Sequence, residues 1–272
     1  MSAFPKPRTL LGRLLAAAAG LALTATGCAL PHLRLPNERP TIPPLPQTSQ
    51  ILDDRGNLIA ILHAGEDRTL VPITEIPVIT RNAVVAAEDE RFFIHHGVDV
   101  KAIVRAALAN ARSGHIVEGA STITEQLVKN TIGTDEKTLG RKIREAEIAY
   151  ALEDRYTKLQ ILELYMNTVY FGQGAYGIEA AAKTYFSIAA NALDAGQSAL
   201  LAGLISSPSR YDPVFHPEAA LAQRNYVLGR MRDLLMVGET DYRVAVAAPI
   251  GLDLAKPAKR YPAPYFVDYV KR

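Results

Sequence analysis

From Thr80 to Ala247 the chain reads as one helical segment after another, and that run constrains the fold more than any other feature. Apolar residues recur with helical spacing over 80–91, 100–112, 122–130, 137–155, 158–167, 176–186, 193–206, 217–235 and 240–247. Pro208 and Pro213 bracket a turn at 207–213. Ahead of the helices, 51–60 reads as two short strands around a turn, a small N-terminal β-hairpin. The implied fold class is mostly α. With 272 residues, 49% of them hydrophobic, the chain can build one sizeable domain plus an appendage. A net charge of +2 gives no argument for nucleic acid as a partner. The lone Cys28 excludes an internal disulfide framework, and no Cys/His spacing suggests zinc.

The first 30 residues stand outside this pattern. Lys6, Arg8 and Arg13 precede an uncharged run over 14–30. A bilayer span needs roughly 20 apolar residues, so the run is marginal but usable. The positive flank would stay cytoplasmic and the remainder would lie outside. Three readings fit: a retained signal anchor, a lipoprotein signal (Ala25-Thr26-Gly27 precedes Cys28), or a cleaved signal peptide. Each exports the domain. Prolines at 31, 36, 40, 43, 44 and 46 make 31–48 a stiff, extended spacer.

Chemistry concentrates in three stretches. In the first, the apolar run Ala83-Val84-Val85-Ala86-Ala87 leads into Glu88-Asp89. A carboxylate at such a border is partly desolvated, which raises its pKa toward the range useful for proton transfer. The bland alternative is a surface glutamate near a helix end. In the second, Ser121 and Thr122 stand where a helix would start, and free N–H groups there favour an anionic ligand. A plain capped helix is the alternative. Gln126 and Lys129, three apart, share a face of that helix. In the third, Arg141 and Lys142 lie i−4 and i−3 from Glu145, so all three share one helical face. Spacing alone does not separate a ligand site from a solvated salt-bridge face.

Taken in order, these stretches resemble the peptidoglycan glycosyltransferases, glycosyltransferase family 51, the transglycosylase module of class A penicillin-binding proteins. The family's first motif, E-D-x-x-F-x-x-H-x-G, is filled by Glu88, Asp89, Phe92, His95 and Gly97. Its second, usually G-G-S-T-I-T-Q-Q, reads Gly119-Ala120-Ser121-Thr122-Ile123-Thr124-Glu125-Gln126. The third, R-K-x-x-E, is Arg141, Lys142 and Glu145. Later segments at 158–167 and 172–186 resemble the fourth and fifth, and the likeness runs from about Leu52 to about Met236. It implies a lysozyme-like fold and transfer of a growing glycan from undecaprenyl pyrophosphate to the 4-hydroxyl of lipid II, forming β-1,4 bonds with inversion.

On that resemblance Glu88 is the general base and Glu145 the second catalytic glutamate, helping to hold the pyrophosphate. Asp89, Phe92, Arg105, Ser121, Thr122, Gln126, Lys129, Lys137, Arg141 and Lys142 bind substrate. No cofactor is required, though a divalent cation such as magnesium or manganese is admitted. The partners implied are lipid II, the growing strand, the membrane and other cell-wall synthesis proteins. The site would face outward from the bacterial cytoplasmic membrane. The region 98–116, with its mixed apolar and basic residues, would border the lipid. Three positions depart from the family: Ala120 for a glycine, Glu125 for a glutamine beside the phosphate site, and Lys137 for an arginine.

The domain order read from this is a signal segment at 1–30, the spacer at 31–48, the glycosyltransferase domain at 49–250 and a linker at 251–272. That linker resembles the one leading to a transpeptidase domain. Neither S-x-x-K nor K-T-G occurs, so this stretch offers no penicillin-sensitive serine. Two other classes compete. One is a lysozyme-like hydrolase, which needs no phosphate-binding cations. The other is a non-catalytic membrane scaffold, kept open by Glu125 and Ala120.

Overall fold

The structure, a computed structural model, describes residues 40–45, 49–55, 58–62, 69–115, 119–132 and 138–255. The expected signal segment, most of the spacer and linker, and Lys137 lie outside those residues. Among them, no helix is long and apolar enough to cross a membrane. Strands β1 (Ser49–Leu52) and β2 (Leu58–Leu62) pair antiparallel, Ser49 opposite Leu62. Everything else of regular structure is helical, and two single 3-10 turns, at Ile73–Glu75 and Ala190–Ala192, are too short to leave a periodic signal.

The helices are α1 (Val78–Glu88), α2 (Val100–Ser113), α3 (Ile123–Thr131), α4 (Leu139–Glu153) and α5 (Lys158–Met166). They continue with α6 (Ile178–Phe186), α7 (Ala195–Ile205), α8 (Pro217–Asp233) and α9 (Glu239–Ala247). Each matches an expected helix, with ends that differ by up to three residues. The expected starts ran long because Thr122, Thr138 and Asp194 cap their helices from outside, each side chain accepting an N–H of the first turn. Tyr176 instead bridges to Tyr170, and Gly177 at φ +85° turns the chain into α6.

Residues Asp99–Ala120 belong to a separate compact unit, of which α2 is the described helix. Asp99 caps that helix through the N–H of Ala102, and Gly114 ends it in the left-handed region.

In the main body α7 is the central helix. Its sequence Ala-Gly-Gln-Ser-Ala-Leu-Leu-Ala-Gly-Leu-Ile is apolar almost all round, and 198–204 are all buried. A helix without a polar face must be surrounded. Helices α1 and α8 pack on it and on each other. Thr80 and Ser198, both buried polar residues, satisfy one another at 2.8 Å across the α1–α7 contact. Helix α5 and the residue that ends it hold the segment before α1. Asn167 exchanges hydrogen bonds with both backbone groups of Val71, and Glu163 accepts from Ile73 N–H. The first residue that matters chemically, Glu88, therefore sits at the last turn of a helix locked into the core.

Candidate active site

Helix α1 stops at Glu88, three residues earlier than its apolar pattern suggests. The cause is Asp89, whose backbone leaves the helical region at φ −160°. The Asp89 carboxylate accepts from Nε2 of His95 at 2.8 Å and from the N–H of Ile123 at 3.0 Å. One buried carboxylate thus fixes both the turn after α1 and the start of α3. Gly97 completes the turn. At φ +66° it lies against the backbone of α4, where an added Cβ would come within 2.6 Å of Tyr150 N and Cα. Its carbonyl accepts from the Thr122 hydroxyl at 2.6 Å. The fixed positions of the first motif are mostly devices for this geometry.

Glu88 faces α3. Its Oε2 accepts from Gln126 Nε2 at 2.8 Å, and Gln126 Oε1 in turn accepts from the hydroxyl of Tyr165 on α5 at 2.9 Å. Burial pushes the Glu88 carboxyl up to about 6, the Gln126 hydrogen bond opposes that rise, and the negative charge of Asp89 adds to it. The residue remains half-buried. Tyr165 is wholly buried, and burial followed by the charges of Glu88 and Asp89 drives its hydroxyl well above the usual phenol range.

One residue back along α3, Glu125 points to α4. It is only 3% exposed. Its Oε2 accepts from Thr122 N–H at 2.9 Å, closing a capping box in which Glu125 N–H donates to Thr122 Oγ1. Its Oε1 stands 3.1 Å from Lys142 Nζ. Lys142 also donates to Ser121 Oγ at 2.8 Å and lies 3.8 Å from Glu145 Oε2. Glu145 is buried and pairs with Arg141 through Oε1. Two cations and two carboxylates therefore balance at this cluster, while 43% of the Lys142 side chain stays exposed.

The remaining expected residues divide by surroundings. Lys129 is exposed on α3, and Ser121 is exposed just before it. Phe92 has no exposed surface and packs beneath Lys158, whose Nζ lies 4.5 Å from the ring centroid. Thr122 is buried with its hydroxyl engaged. At the start of α3, where free N–H groups were expected, three are engaged: those of Thr122, Ile123 and Glu125 donate to Glu125, Asp89 and Thr122 Oγ1. Arg105 stands on α2, in the separate unit. The hydroxyl of Tyr165 also reaches the Glu88 network, a part that nothing in the sequence singled out.

These contacts define a half-buried carboxylic acid of raised pKa on one flank of α3 and a partly exposed lysine among carboxylates on the other. A family model described as Transglycosylase matches residues 55–232, and the chain belongs to that family. It is 45% identical over 226 residues to penicillin-binding protein 1A of Aquifex aeolicus, covering 83% of this chain and 31% of that one. Over 223 residues it is 40% identical to penicillin-binding protein 1F of Bacillus subtilis, covering 82% and 31%. Penicillin-binding protein 1A of Streptococcus oralis is 42% identical over 229 residues, covering 82% and 36%. The chain thus spans about a third of the length of these relatives.

Proposed function

We propose that this chain is a peptidoglycan glycosyltransferase of cell-wall synthesis, which polymerises lipid II into β-1,4 glycan strands and releases undecaprenyl pyrophosphate. The observation that carries the reading is the pairing made by α3, which presents Gln126 to Glu88 and Glu125 to Lys142. Membership of the transglycosylase family supports it. Glu88 takes the proton of the acceptor 4-hydroxyl as that oxygen attacks the anomeric carbon of the donor. The bond from that carbon to the pyrophosphate oxygen breaks, with inversion. A carboxylate with a pKa of about 6 is ionised at neutral pH yet basic enough to share a proton. Lys142, with Arg141 and Glu145 arranging it, meets the charge that grows on the leaving pyrophosphate. Exposed Ser121 borders that place by accepting from Lys142, and Lys129, Arg105 and Lys137 are assigned to the pyrophosphate by resemblance to the family.

Among the described residues no three His, Cys, Asp or Glu side chains come together as a ready-made metal site. A membrane-bound substrate suits α2, taken by itself. Val100, Val104 and Leu108 form an exposed stripe at four-residue spacing, and Lys101, Arg105 and Arg112 run beside it. The lysozyme-like architecture, an N-terminal anchor and a position outside the cytoplasmic membrane belong to the same reading, as do neighbouring cell-wall proteins as partners. A hydrolase has no use for the Lys142–Arg141 cluster. The scaffold reading has one observation in its favour, the neutralisation of those two cations by Glu125 and Glu145.

The test is polymerisation of labelled lipid II by the detergent-solubilised protein beside Glu88→Gln. Long strands from the unaltered protein, reduced by a factor of a hundred or more in the variant, are expected, on the order of what one general base contributes. No polymer from the unaltered protein would sink the enzyme reading and leave the scaffold.

A further inference from the structure

We propose that Tyr165 is a positioning residue for Glu88: its hydroxyl donates to Gln126 Oε1 and so holds the Gln126 amide with its NH2 turned to the Glu88 carboxylate. The inference rests on Glu88 being the base and adds the group that sets the state of that base.

A side-chain amide has an acceptor end and a donor end, and which end faces which neighbour is decided by hydrogen bonding rather than shape. An ionised Glu88 is an acceptor only, so it needs the NH2 end. That leaves Oε1 pointing into the protein, where it needs a donor. Tyr165, with no exposed surface, supplies one at 2.9 Å. In the flipped arrangement Oε1 would face Glu88, which fits only a protonated carboxyl. The phenol would then face NH2 groups and would need another acceptor for its proton. The titratable groups near Glu88 from the surrounding elements are Asp89 on its own helix end, His95 bonded to Asp89, and Tyr165 on α5. Asp89 favours the protonated form of Glu88. The Gln126 hydrogen bond, held in place by Tyr165, favours the ionised form.

Remove the phenol oxygen and Oε1 is left buried without its donor. The two amide orientations then approach each other in energy, and Glu88 loses part of the bond that opposes its desolvation. Tyr165→Phe keeps the ring and removes only that oxygen. The acid limb of the pH dependence of kcat/KM, expected near 6 in the unaltered protein, should move up by about half to one pH unit, the size of one neutral hydrogen bond. Turnover at pH 5.5 would fall several-fold and turnover at pH 8.5 would stay within about twofold.

Glutamate labelled with 13C at the side-chain carboxyl reads the same group without turnover. The resonance titrating near 6 is the one lost in Glu88→Gln, and it should titrate higher in Tyr165→Phe. Gln126→Leu should shift it at least as far, and adding Tyr165→Phe to Gln126→Leu should shift it no further. Should Tyr165→Phe fail to fold, Gln126→Leu carries the test, and an unmoved resonance there overturns the proposal. So does an unmoved limb, or a uniform loss at every pH, in folded Tyr165→Phe. A shifted resonance in a protein that keeps polymerising after Glu88→Gln would instead overturn Glu88 as the base while leaving the hydrogen-bond chain intact.

Discussion

At Lys142 the charge is answered before any substrate arrives. Glu125 stands 3.1 Å away and Glu145 3.8 Å away, both buried, and Arg141 is occupied by Glu145. A pyrophosphate entering this cluster meets two cations whose field is cancelled by two carboxylates. Glutamine at 125 would keep the capping box, since its side-chain oxygen can accept from Thr122 N–H as the glutamate does. It would remove one negative charge, taking the cluster from neutral to +1. Glu125→Gln should therefore bind inorganic pyrophosphate more tightly, by on the order of tenfold for one unit charge in a partly screened site. Competition against labelled lipid II at fixed ionic strength reads the change. Equal inhibition of both proteins would mean that Glu125 does not govern the charge felt by the ligand. Glu125 was visible in the sequence as a departure from its motif. Its burial and its partner were not, because a motif gives the order of residues and not the direction in which each one points.

The same limit appears one level up, in how the elements meet. The helices were legible because most carry an apolar stripe at helical spacing, and α7 is a longer run that is apolar almost all round. Spacing also put Gln126 and Lys129 on one face of α3, yet Gln126 turns inward to Glu88 and Lys129 stays exposed. That choice is made by α1 and α5, which supply Glu88 and Tyr165 from 38 and 39 residues away. The turn over 92–97 is also a tertiary matter. Its glycine was legible as a motif position, but the reason for it lies in α4. At Gly97 a Cβ would stand 2.6 Å from the Tyr150 backbone, and φ is +66° as well. Gly114 at the end of α2 has a similar φ of +74° with nothing within 4 Å. Alanine at 114 should cost only about 1 kcal/mol, for the left-handed backbone. At 97 both penalties apply, so Gly97→Ala should cost about 2–4 kcal/mol, with displacement of the 92–97 turn from α4. Denaturant unfolding of the two variants measures the difference. Similar losses at both positions would show that the turn does not need its close approach to α4.

For the molecule as a whole, Glu88 is a source of instability. The Glu88 carboxyl is raised from 4.5 to about 6 chiefly because the fold takes it out of water. Below pH 4.5 it is protonated in the folded and unfolded chain alike, and its contribution to stability is fully present. Between 4.5 and 6 the folded chain holds the proton and the unfolded chain releases it, so stability falls as pH rises. Above 6 both states are ionised and the loss is complete, at roughly 2 kcal/mol for a shift of about 1.5 units. That is a large fraction of what a domain of this size has to spare. Asp89, His95 and Thr122 hold the turn around this carboxylate, and the Thr80–Ser198 pair holds its helix against α7. The surrounding packing therefore sustains a group that the fold would hold more cheaply as an amide. Glu88→Gln should raise stability by up to about 2 kcal/mol at pH 7.5 and change it little at pH 4, while turnover is lost. Denaturant unfolding at the two pH values decides the matter. A gain of the same size at both would trace to packing rather than ionisation, and no gain at pH 7.5 would mean that the carboxylate is well solvated and has no raised pKa to lend to catalysis.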